Sequence, residues 1–115
     1  MTLDITKSVD IIETMENYLS RARPPFEIRD QVDVNYEIKD QSVILNEIRP
    51  TWNNPKEIKT YGYAKATYVK SKNIWKVFWK RADNKWHGYK PKLTVRELKD
   101  FLDLVDQDQY RCFHG

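Results

Sequence analysis

Cysteine occurs once in the 115 residues, at Cys112, so no disulfide can close within the chain. That fits a reducing compartment. Glycine is nearly as scarce. Three glycines in all can hardly build a loop that cradles phosphate. A nucleophile elbow and a dinucleotide fingerprint are both missing. No apolar run reaches the length of a membrane span. The stretch Met1-Thr2-Leu3-Asp4-Ile5-Thr6-Lys7 lacks an apolar signal region. These absences lead to the expectation of a cytoplasmic protein, and no cofactor is expected.

What is present describes one packed domain. Hydrophobic residues make up 40% and aromatic residues 13% of the chain, which a disordered segment would not carry. A chain of 115 residues matches the size of one domain over residues 1–115. The net charge of +3 conceals an uneven distribution. Residues 56–92 hold eleven basic side chains against Glu57 and Asp83, a net +9. The nine basic and fifteen acidic residues elsewhere give −6, which restores the total. A basic middle between acidic ends favours an anionic partner.

Residues 4–22 have helical spacing, with Ile5, Val9, Ile12, Met15 and Leu19 on one stripe. Asp4, Thr6 or Ser8 can cap this helix, and Arg23-Pro24-Pro25 ends it. Val32, Val34, Tyr36 and Ile38 alternate with Asp33, Asn35 and Glu37, which marks a half-buried strand. A second strand runs from Ser42 to Arg49. The register of this hairpin stays open: a three-residue loop pairs Tyr36 with Ile44, and a two-residue loop pairs it with Leu45. Residues 50–60 carry Pro50, Asn53, Asn54 and Pro55 and have the composition of a loop.

Three further strands follow, roughly Tyr61–Val69, Ile74–Arg81 and Lys85–Tyr89. With turns at Lys70–Asn73 and around Asp83-Asn84, Tyr68 faces Trp75, Ala66 faces Val77 and Ala64 faces Trp79. The same turns set Trp79 opposite Gly88 and Arg81 opposite Trp86. Ala64, Ala66, Tyr68, Trp75, Val77, Trp79 and Trp86 then share one face. Lys65, Thr67, Lys76, Phe78, Lys80, His87 and Tyr89 share the other. Residues 94–106 form a second helix, opened by a capping box from Thr94 to Glu97 and stapled by Leu93 and Leu98. Its buried stripe is Leu98, Phe101, Leu102 and Val105. The aromatic tail from Tyr110 docks on the domain. The expected fold class is α+β: an antiparallel meander of about five strands, with an N-terminal and a C-terminal helix packed on one face.

Four pieces of the chain resemble a small bacterial family, domain of unknown function family 3024. They are Glu47-Ile48-Arg49-Pro50, Trp75-Lys76-Val77-Phe78-Trp79, Lys85-Trp86-His87-Gly88-Tyr89 and Phe113-His114-Gly115. The tryptophan-rich hairpin is the most specific of them. The resemblance implies one compact domain over most of the chain, and no catalytic residue.

The leading candidate site is the basic-aromatic face. Lys65, Lys76 and Lys80 can neutralise phosphates while His87, Tyr89 and Phe78 offer flat surfaces to bases. This describes a non-enzymatic module that contacts nucleic acid or an acidic protein surface. The plainer alternative is a solvated sheet face whose lysines guard against edge pairing. A second candidate is Asp33 with Glu47 and Arg49, a pattern like that of metal-dependent nucleases, in which paired carboxylates hold a divalent ion. The plainer account there is a Glu–Arg ion pair. Cys112, His114 and His87 supply three N/S ligands without a metal-site spacing, so ordinary structural roles are favoured. The tryptophan cluster is read as core before ligand cage, with Arg81 over Trp86. A homo-oligomer that pairs through an exposed strand or the Phe78/Tyr89 surface is the remaining alternative.

Overall fold

The computed structural model describes residues 4–114. Met1, Thr2, Leu3 and Gly115 lie outside them, including the last residue of the Phe113-His114-Gly115 piece. Helix α1 spans Ile5–Ala22. Strands β1 (Asp33–Lys39), β2 (Ser42–Thr51), β3 (Asn54–Val69), β4 (Ile74–Lys80) and β5 (Trp86–Gly88) follow. Strand β6 is Thr94–Val95, and helix α2 is Leu98–Gln107. The sheet order is β1-β2-β3-β4-β5, antiparallel throughout, with β6 beside β5 on the free edge of β4. The fold is therefore α+β with a meander sheet and a helix towards each end of the chain. Both helices cover the same, inner face.

Asp4 is the residue that caps α1: its Oδ1 accepts from the backbone N–H of Lys7 at 2.7 Å. The buried face of α1 differs from the expected stripe. Ile11, Met15 and Tyr18 enter the core, whereas Ile5 is 84% exposed and Val9 and Ile12 also face solvent. Two adjacent stripes share Met15, and hydrophobic spacing alone does not choose between them. The choice follows from Tyr18. Its ring is buried in the core, and its hydroxyl donates to Asp106 of α2 at 2.7 Å. Burial and the Asp106 carboxylate both push that phenol's pKa far above its ordinary value.

The first hairpin takes the shorter loop. Asp40 sits at φ 55 in the turn, and Tyr36 pairs with Leu45. The segment 50–60 is not a loop. It extends β2 and β3 into a long ribbon that turns at Trp52–Asn53. The Thr51 hydroxyl donates to the Asn54 carbonyl at 2.8 Å and closes that turn. Pro50 is tolerated because β1 pairs β2 only as far as Ile48, so Pro50 lies on an edge.

Helix α2 starts four residues later than the capping-box reading placed it. Thr94 and Val95 pair with Lys76 and Trp75 instead. Glu97 is the N-cap, and Asp100 accepts from its backbone N–H at 3.2 Å. Leu93 is left exposed and does not staple the helix. The inner face of the sheet (Val43, Leu45, Ala64, Ala66, Trp75, Val77) meets Phe101, Leu102 and Val105 of α2 in one core. Complete burial of a side chain of this size contributes about 1.5–3 kcal/mol. The tail docks on this core as well. Phe113 is buried against Tyr89, and Asp108 accepts from the backbone N–H groups of Phe113 and His114 at 3.0 Å each.

Candidate polyanion-binding face

The outer face is built by strand alternation. Lys65 on β3 pairs with Ile44 on one side and Phe78 on the other. Thr67 pairs with Ser42 and with Lys76. Lys65, Lys76, Phe78 and Lys80 therefore point to the same side of the sheet. Lys39 joins them at the end of β1, opposite Ser42.

The β4–β5 hairpin differs from the expected register by one residue, which changes the site. A three-residue loop of Ala82, Asp83 and Asn84 closes it, with Asn84 at φ 65. Phe78 then pairs with Gly88, Trp79 with His87, and Lys80 with Trp86. The slip carries every β5 side chain to the other face. Trp86 moves to the outer face, and His87 and Tyr89 move to the inner one. Tyr89 is only 2% exposed and stacks on Phe113 with ring centres 4.8 Å apart. His87 is bound to Asp83 at 2.8 Å. That hydrogen bond is the main reason the Asp83 carboxyl pKa lies below its usual range. Of the five expected binding residues, the structure thus brings together Lys65, Lys76 and Lys80 and separates His87 and Tyr89 from them. Arg81 lies over Trp79, at 5.6 Å, and not over Trp86.

Trp86 takes the place of the two lost rings. The Lys65 ammonium stands 4.8 Å from the Phe78 ring centre and 5.0 Å from that of Trp86. Lys80 reaches Trp86 from 5.2 Å. Trp86 lies close over Gly62: a Cβ there would meet its Cζ2 at 3.1 Å and Ile44 Cγ2 at 3.3 Å. Glycine at this point lets the indole lie against the sheet. Ile44, on the outer face, is only 9% exposed as a result. Partial burial lowers the Lys65 pKa, and the like charges of Lys39 and Lys80 lower it further. Among the described residues, Lys39, Lys65, Lys76 and Lys80 form no ion pair. Glu37 is the acidic neighbour on this face, in the row through Ile44 and Lys65.

The other candidate groups do not converge. Asp33 pairs with Ile48, and Glu47 pairs with Val34, so the two carboxylates project to opposite faces. Each already has a cation. Asp33 accepts from Arg23 Nε at 2.8 Å and Nη2 at 2.7 Å, which holds its carboxyl pKa below the ordinary value. Glu47 is paired with Arg49. His114 stacks on Tyr63, away from His87. Among the described residues, no three His, Cys, Asp or Glu side chains gather closely enough to hold a metal ion. Among the described residues, no helix is long and apolar enough to cross a membrane.

Lys39 and Trp86 are the two site residues that pattern reasoning missed. The alternation of β1 already put Lys39 on the polar side of that strand. The position of Trp86 depended on one residue of loop length.

Among known proteins, a family model described as a domain of unknown function (DUF3024) matches residues 4–115. No curated protein and no solved structure matches the chain.

Proposed function

The chain belongs to the DUF3024 family, whose description assigns no activity, and from that premise we propose a non-enzymatic binding module that holds a polyanion on its outer sheet face. Nucleic acid is the first choice of ligand. One observation carries this reading. Lys65 and Lys80 stand over Trp86, and the like charges of Lys39 and Lys80 bear on Lys65, with no ion pair to any of the three among the described residues. Crowded like charges raise the free energy of the unliganded face, and an anion relieves that repulsion. The half-buried rings of Phe78 and Trp86 add stacking surface for bases, a contribution that tolerates any sequence. Single strands suit this arrangement, because their bases are free to meet a sheet. Asp33 and Glu47 share no site, so nothing in the geometry favours metal-dependent hydrolysis over binding.

Anisotropy of a dye-labelled single-stranded oligonucleotide, measured across a salt series, tests the proposal. Four phosphate contacts predict a log–log salt slope of about −3. Lys65→Glu with Lys80→Glu should weaken binding by roughly tenfold or more and flatten the slope by about 1.4. Unchanged binding in that variant removes the outer face from consideration. Equal competition by polyglutamate would shift the ligand class to an acidic protein surface.

A further inference from the structure

On the opposite side of the sheet, the register slip opens a cleft of about 540 Å³ between the β4–β5 hairpin and the C-terminal tail. The Trp79 side chain and Leu93 supply its apolar walls, Arg81 and Lys90 its cations, and His87 and Cys112 complete the lining. Among the described residues, no carboxylate lines it. We propose that this cleft binds a small organic monoanion with an apolar body, such as an aryl or branched aliphatic carboxylate. The proposal is independent of the outer face, because none of the outer-face lysines borders the cleft.

The cleft lies within the size range of small-ligand pockets, which are mostly apolar with a few placed polar groups. Leu93, 55% exposed, lines the cleft and approaches Gly88 closely: a Cβ on Gly88 would meet Leu93 Cδ2 at 3.1 Å. Arg81 sits above the Trp79 ring, which leaves its planar donors available for a carboxylate. Among the described residues, neither Arg81 nor Lys90 has an acidic partner, and the nearby Asp83 carboxylate is held by His87. An anion entering the cleft therefore meets two cations that no ion pair occupies, with Asp83 and Asp108 near the cleft but outside its lining. Cys112 acts as a wall and not as a nucleophile. Burial and Asp108 push its thiol pKa up, against the smaller opposing effect of Arg81, so it stays protonated.

Cys112 is also the chain's only thiol and reports on occupancy of the cleft. The experiment measures its alkylation by iodoacetamide at alkaline pH, with and without anilinonaphthalene sulfonate, an anionic aromatic probe. At a probe concentration about ten times its dissociation constant, protection should reach about tenfold. Arg81→Gln with Lys90→Gln, or Lys90→Glu alone, should bring the protected and unprotected rates together at the same concentration. Lys65→Glu with Lys80→Glu should leave the protection unchanged. Probe fluorescence that rises without protecting Cys112 would place the probe elsewhere and overturn the proposal. So would protection that survives loss of both cations.

Discussion

At the scale of single residues, Gly62, Lys65 and Asp33 make separate demands on the chain. Gly62 gives Trp86 its seat, and any side chain there must displace the indole or Ile44. Gly62→Val should lower stability by about 1–3 kcal/mol through overpacking, read by chemical denaturation. Tryptophan emission should shift to the red as Trp86 is pushed into water. Lys65 should titrate below the ordinary lysine value, because burial and two like charges disfavour its ammonium. Its folded-state pKa is depressed, so the penalty applies below that pKa and disappears as pH rises through it. A bound polyanion should raise this pKa, and affinity should fall with rising pH across the lysine range. NMR titration of the Lys65 side chain checks both. Asp33 has the opposite sign of dependence. Its pKa is lowered, so the Arg23 pair stabilises the fold above the usual carboxylate range and the contribution is lost as pH falls through the folded value. The Arg23 side is half-exposed, so Asp33→Asn should cost no more than about 1 kcal/mol at neutral pH.

At the scale of elements, the sequence was most legible where neighbouring residues differ strongly. The β3–β4 pairing of Ala64, Ala66 and Tyr68 with Trp79, Val77 and Trp75 follows from alternation and matches the structure. The same reasoning failed at β4–β5. There a loop of two or of three residues gives an equally clean pattern, and the observed three-residue loop is held by left-handed Asn84 and by Asp83, which accepts from the backbone N–H of Lys85 and is bonded to His87. Asn84→Val should therefore weaken the hairpin by about 1–3 kcal/mol, the range for a strained backbone conformation. Trp86 should respond in fluorescence before Trp75, which is anchored in the core. Helix α1 was misread for a related reason: its two candidate stripes are both periodic, and the deciding contact, Tyr18 to Asp106, lies 88 positions apart in the chain. The position of β6 was hidden because Thr94 to Glu97 also satisfies a capping pattern, and pairing with β4 outweighs it.

At the scale of the whole molecule, both helices lie on one face of the sheet and leave the other without them. The inner face forms the core with both helices and the docked tail. Phe101→Ala, at the centre of that core, should cost about 3–5 kcal/mol in denaturant titration. The outer face gathers four of the lysines from β1, β3 and β4, while acidic Asp106 and Asp108 lie at the α2 end of the inner side. Three of the five residues expected on the outer face lie there; His87 and Tyr89 belong to the inner face.

The most direct measurement is an NMR titration of the labelled protein with a short single-stranded oligonucleotide, following the four indole N–H signals. The account predicts a saturable shift at Trp86, with Trp75 still and the Lys65→Glu/Lys80→Glu variant unresponsive. Shifts that appear at Trp79 while Trp86 stays fixed would contradict it.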